Sequence, residues 1–537
     1  MAYADCCRGA NHVMMRRACL WLLVGWAASC AREPPLGRQL VTPDRATQLS
    51  AATSPILKAH LKDGRLYVFD QWQFDPKSRV VTGHAGVLGI DRGRAVPGTY
   101  RLPLDEVALF ETNAPIRGAP ALAAMAVVTA ISVGVTAVCL LNPKACFGSC
   151  PTFYTWDGQR MALQAEGFSD SIAPALEDTD IDALYRTRPS DRSLLVRMTN
   201  EALETHVVKR VQILTVPRPT DGGRVFYAAG DGFYSSGKLR PPDRCTAPEG
   251  PCEVALRSFD GNERSSLADA HNLATREELT LQFAEPPSGR PALVIAARQT
   301  LLTTFLLYQG LAYLGSQATA ALSELERDPS LRKRVNDTHH LLGGIEVQVR
   351  PSTRGGRVSA AGGPGDGDWK TVGEVFETGP IATDVHLVHL PPLPPGSVQV
   401  RLRMTRGDWR IDWVALTEVN QRIEPGKLNA RSITGTIDEG RQNVDVQPGT
   451  TIVTLPGDTY ELNFELPEHP ERYELFLSST GYYLEWIREQ WLAEESRSRA
   501  AMMLYTPSLA LRMLAPAYKR QEPDMERLFW GSRYARP

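Results

Sequence analysis

Between Gly64 and Glu111 apolar and polar residues alternate, with glycine and proline at the breaks, which predicts a small antiparallel β unit over residues 59–114. The two-residue period returns from Thr152 to Ala297, most clearly in Ser193–Asn200, His206–Val216, Glu278–Glu285 and Ala292–Ala297. It returns again from Gly343 to Val419, and the even spacing there predicts a sandwich-like unit over residues 336–470. Two stretches break the alternation. Ala119–Leu141 and Gln299–Ser323 carry no charge and are long enough for helices, placed in regions 115–142 and 299–335. Each carries a polar stripe, Thr129, Ser132 and Thr136 in one and Gln309, Tyr313 and Ser316 in the other, which suits a helix packed in protein or lying on a membrane. Two transmembrane helices are the alternative. Past residue 471 the period changes to that of helices, with Leu484, Ile487 and Trp491 on one face and prolines dividing short helices up to residue 537. The expected fold class is α+β: mainly antiparallel, sandwich-like β units with two apolar helices and a helical C-terminal region.

The N-terminus adds a compartment. Arg16 and Arg17 precede an apolar run from Ala18 to Ala28, and small residues lead to Cys30. The order resembles the bacterial lipoprotein signal, with Ala27-Ala28-Ser29-Cys30 as its lipobox and Met14 or Met15 as the start. The resemblance implies a signal peptide over residues 1–29, lipidation of Cys30, and a membrane partner reached through the lipid, at the outer membrane or the periplasmic face of the inner one. Residues 30–58 are polar and proline-containing, as a flexible stalk would be. Losing Arg8, Arg16, Arg17 and Asp5 with the leader takes the formal charge from −2 to −4. A near-neutral chain without a basic tract argues against nucleic acid as a partner.

Of nine cysteines, Cys146, Cys150, Cys245 and Cys252 form two close pairs, expected as local disulfides Cys146–Cys150 and Cys245–Cys252 in a stapled β domain over residues 143–298. Cross-pairing is the alternative. Thr152–Trp156 is β-branched and aromatic, Asp157-Gly158 suits a type I′ turn, and Gln159–Glu166 can return, so this stretch reads as a hairpin. Through Ser149, Cys150, Pro151, Tyr154, Trp156, Asp157 and Gly158 it also resembles uncharacterised exported β-rich bacterial proteins with the same Ser-Cys-Pro-x-x-Tyr-x-Trp-Asp-Gly opening, a likeness that implies no activity.

Candidate chemistry is sparse. Gly232–Leu239 nearly spells a phosphate-binding loop, but Leu239 replaces the hydroxyl and prolines follow where a helix must start. Asp178, Asp180 and Asp182 have EF-hand spacing, although Ala183 and Pro189 occupy positions that need glycine and glutamate, so they are weak calcium candidates and no metal or other cofactor is expected. In a strand Asp384 and His386 share a face while His389 points away, which leaves that pair without a third ligand nearby. Trp409 and Trp413 alternate with Arg410 and Asp412, and with Tyr482 and Trp486 they form a candidate aromatic ligand-binding set, against core packing as the plainer role. The common serine-hydrolase and zincin signatures are absent. The expectation is a lipid-anchored envelope protein with a non-enzymatic binding or structural role toward a protein or glycan. The alternatives are a polysaccharide hydrolase using carboxylates such as Glu485, Glu489 and Glu494, and an inner-membrane protein with two spans.

Overall fold

The computed structural model describes residues 36–115 and 150–531, except 42, 53, 55–56, 62–64, 89–95, 190, 203, 221, 326–327, 351–368, 377–378, 394, 438–441 and 486–493. Cys30, Cys146, the Ala119–Leu141 segment, Trp486 and Glu489 therefore lie outside the described residues.

The N-terminal β unit is larger than its alternation suggested. Leu36–Val41 pairs antiparallel with Val107–Pro115 at the edge of a six-stranded sheet whose other strands are Leu57–Leu61, Leu66–Asp75, Val80–Leu88 and Val96–Pro103. Residues expected as stalk thus join the sheet, because Val41, Ala46 and Leu49 are buried in its core with Phe69, Trp72 and Phe110.

The remaining strands form four sheets that interleave the two β regions expected as separate units. One sheet joins Thr152–Trp156, Met161–Glu166 and Ser193–Thr199 to Thr459–Glu465, Ser432–Ile437 and Gln442–Val446. A second runs Gly426–Asn429, Glu204–Pro217, Tyr473–Glu485, Asp178–Ala183, and packs on the first through Phe153, Val196, Ile213, Phe464 and Leu477. In a third, five strands close a hydrogen-bonded ring: Val225–Ala228, Asp384–His389, Arg290–Gln299, Trp409–Ile423 and Gly232–Ser236, the last pairing back to the first. A fourth, centred on Arg276–Phe283 and Val398–Thr405, packs against it. The ring explains the unbroken apolar run Ala292–Ala297. Leu293 and Ile295 face the fourth sheet while Val294 and Ala296 face the second, so both sides of one strand are core.

The Trp409–Ile423 strand corrects a reading of faces. Alternation alone puts Trp409, Ile411 and Trp413 on one side, but the pairing slips between Ala296 and Ala297, which oppose Trp413 and Ile411. The bulge at Asp412 reverses the alternation beyond it. Trp409 and Ile411 therefore join Val414 and Leu416 in one core, and Trp413 joins Ala415 in the other. Asp412 Oδ1 at the bulge accepts the Gly261 N–H at 2.9 Å.

Two other local expectations change. The Thr152 hairpin exists, but Trp156 pairs with Met161, so Asp157–Arg160 is a four-residue loop and not a two-residue type I′ turn. Asp157 Oδ1 accepts the Gln159 and Arg160 N–H groups there, and Gly158 takes a φ of 105° that an L-residue side chain disfavours. Cys245 and Cys252 form the expected disulfide.

Helices cover one end of the sheets: α1 (Leu301–Leu314), α2 (Ala318–Glu324), α3 (Pro329–Leu342), α4 (Arg497–Tyr505) and α5 (Pro507–Gly531). The change of period comes later than residue 471, since Tyr473–Glu485 is the long central strand of the second sheet, buried on both faces. The prolines do not divide the last helix either. Pro516 and Pro523 lie inside the 25-residue α5, where each removes a backbone hydrogen bond at about 3 kcal/mol. Burial of Leu511, Leu514, Tyr518 and Phe529 against α1 and α3 offsets that cost.

Candidate functional site

The segment Gln299–Ser323 does not form one long helix. Thr300 caps α1, its Oγ1 accepting the Leu302 N–H, and Gly315 ends α1 with a φ of 50°. Fourteen residues rise about 21 Å, short of the roughly 30 Å hydrocarbon core. No helix among the described residues is long and apolar enough to cross a membrane. α1 is instead apolar on every side because it has two things to cover. Leu301, Leu302, Phe305 and Leu306 pack on α5, with the Phe305 and Tyr518 rings 5.0 Å apart. Leu307, Gly310, Leu311 and Leu314 line a cleft of about 480 Å³. The expected polar stripe finds partners at the helix edge: Gln309 Nε2 donates to Glu494 Oε2 at 2.6 Å, and the Arg499 guanidinium lies 5.5 Å from the Tyr313 ring centre.

The cleft walls come from segments far apart in the chain. α2 and α3 contribute Leu322, Leu331, Val335 and Asn336; α4 and the start of α5 contribute Met503, Leu504, Pro507 and Leu511; the loop before the Asp178–Ala183 strand contributes Ser169, Asp170, Ile172 and Leu176. Asp178, at the start of that strand, completes the wall. Volume and lining match a small-molecule pocket, mostly apolar with few polar groups. Gly310 lies half-buried on the α1 wall, and a Cβ there would meet the Met503 methyl at an ordinary 3.7 Å.

Asp178 begins a row of carboxylates that leads from this wall into the protein. Strand geometry places Asp178, Asp180 and Asp182 on one face about 7 Å apart, opposite Gly481, Ser479 and Leu477. Asp178 is exposed, Asp180 half-buried and Asp182 only 3% exposed. Burial raises Asp180 to about 7, with Asp384 and Asp178 adding like charge. Asp182 is pushed well above the ordinary carboxylate range by burial and by Asp180, Asp384 and Glu166. The weak calcium reading of these three aspartates is corrected by the backbone: an EF-hand needs a loop that turns its carboxylates toward one point, and a strand keeps them in line. Among the described residues no group of three ligands could hold a metal ion.

The other sequence candidates do not gather into a site. Trp409 is 1% and Trp413 8% exposed, and Tyr482 is fully buried, so none of the three offers a ring face to a sugar. Arg410 and Asp412 are buried as well, Arg410 pairing with Glu526 and lying over Phe529. His386 Nε2 sits 3.2 Å from Asp384, whereas His389 faces Asp231 at 3.1 Å. Gly232–Ser236 is a ring strand and not a phosphate-binding loop. Glu485 is buried at the end of its strand and Glu494 bonds to Gln309, while Glu489 lies outside the described residues. Sequence reasoning missed the cleft itself. Its one local signal was the apolar, uncharged α1, with a glycine in mid-helix.

Comparison with known proteins adds no assignment. No family model and no curated protein matches the chain. A crystal structure of a GH31 alpha-xylosidase from Xanthomonas citri aligns with 83% of this chain and 38% of its own, at 8% identity and a TM-score of 0.14. The chain thus spans well under half of that enzyme, and a likeness this slight carries no argument.

Proposed function

We propose that the protein is a lipid-anchored component of a bacterial cell envelope that binds an apolar small molecule in the cleft between α1 and its neighbours. The observation that carries this reading is the cleft: about 480 Å³, walled by five helices and a loop, with leucines on most sides. The leader-like order of residues 14–30 supports export and anchoring, and the Cys245–Cys252 bridge supports an oxidising compartment. Binding through the cleft is favoured over a sugar platform because Trp409, Trp413 and Tyr482 are buried.

The test is calorimetric titration of the full-length protein with 1-decanol. Decanol is expected to bind the native chain, each methylene transferred into the cleft contributing about 0.8 kcal/mol. Gly310→Leu fills the cleft from α1, so affinity should fall at least about tenfold while the melting temperature stays level or rises, since removing a mid-helix glycine gains up to about 1 kcal/mol. Native protein that takes up no decanol, or a variant that binds it undiminished, would sink the reading.

A further inference from the structure

The charged residues at the cleft narrow its ligand, an inference that rests on the binding role just proposed. Among the described lining residues the charged ones are Asp170 and Asp178, both acidic and both exposed, on the side formed by the loop and the aspartate-bearing strand. Asp180 lies behind Asp178 in the strand row, but burial raises it to about 7, so near neutral pH the charge on this side sits mainly on the rim carboxylates. Two helix N-termini oppose that field. The one at α1 is capped by Thr300, and the one at α5, near Pro507, carries about half a unit of positive charge, against a full unit on each carboxylate. The charged side chains among the described lining residues are thus carboxylates, at the rim of an otherwise apolar cleft.

We infer that the cleft takes a single-chain amphiphile with a cationic head. Its hydrocarbon chain lies along Leu307, Leu311 and Leu314, and its head stays at the rim beside Asp178. Fatty acids and other anionic amphiphiles of equal chain length are rejected, because their heads would sit next to a like charge that only water screens. A charge pair a few ångströms apart at a half-exposed site shifts affinity on the order of tenfold.

Three matched probes decide the matter: decyltrimethylammonium, 1-decanol and decanoate, each titrated into the full-length protein below its micellar concentration at low ionic strength. Decyltrimethylammonium is expected to bind on the order of tenfold more tightly than decanoate, with decanol between them. Asp178→Asn should shrink that gap several-fold, and a cooperative thermal melt shows that the variant is folded. Equal affinities for the cation and the anion, with decanol bound, overturn the head-group inference and leave the apolar-ligand reading standing. A gap that survives Asp178→Asn overturns the assignment to this carboxylate. If none of the three binds, the apolar-ligand reading falls and the inference with it.

Discussion

Asp408→Asn is expected to stabilise the protein, and by more as the pH rises. Asp408 is fully buried in the turn after Gly407, and neither carboxylate oxygen has a hydrogen-bond partner among the described residues. Burial pushes it up to about 7, with Arg276 as the opposing charge. The raised value fixes the sign. The folded state holds a proton that the unfolded chain has already released, so this group's contribution is fully present below the unfolded value near 3.8 and is lost as pH climbs to about 7. The difference between 3.8 and about 7 corresponds to about 4 kcal/mol, an upper bound for a group that structural relaxation can partly solvate. Asparagine does not titrate. Denaturant melts of both proteins should therefore differ by under about 1 kcal/mol near pH 4 and by about 2–4 kcal/mol near pH 8, the variant being the more stable. A gap that is flat with pH, or one that favours the native chain at high pH, would remove Asp408 as the titrating group.

Arg264→Ala is expected to cost about 3–5 kcal/mol, because it strips the partner from a buried carboxylate. Arg264 pairs with Ile411 at the edge of the ring sheet, while Glu277 lies on the Arg276–Phe283 strand of the fourth sheet. Both side chains are under 5% exposed, and the guanidinium meets the carboxylate in parallel, at 2.6 Å and 3.0 Å. Ser266 Oγ donates a further bond to Glu277 and Glu249 holds the outer side of Arg264. The pair is thus a polar bolt beside the apolar core that the two sheets share. The double change Arg264→Leu with Glu277→Leu should recover most of the loss, since a buried pair replaced by apolar groups of similar volume is often neutral. Equilibrium unfolding of the three variants checks this. A single variant within about 1 kcal/mol of the native chain would mean that Glu277 finds water when Arg264 is gone.

Much of the local structure could be read from residue order. The strands around Leu194, Val208, Leu281 and Val400 follow from alternation, the Cys245–Cys252 bridge from close spacing, and the helical nature of Leu301–Leu314 from an uncharged run. The antiparallel class followed from these elements and the turns between them. Tyr473–Glu485 was harder: a strand buried on both faces loses its alternation and reads as an apolar stretch of either kind. The prolines of α5 misled for a related reason, because a broken backbone bond is visible in sequence and the packing that offsets it is not.

Pairing and burial were decided in three dimensions. Thr459–Glu465 hydrogen-bonds to Ser193–Thr199 across about half of the chain, and no local period records a partner chosen at that distance. The bulge at Asp412 turned Trp409 and Trp413 into opposite cores through one slipped residue, which removed the candidate sugar platform. The cleft likewise exists only where α1, α4 and the Ser169–Asp178 loop meet. Residue order determined which segments must hide apolar surface, since hydrophobicity and period belong to each segment alone. Which segments hide one another, and what space remains between them, depends on long-range packing, and so belongs to the tertiary structure.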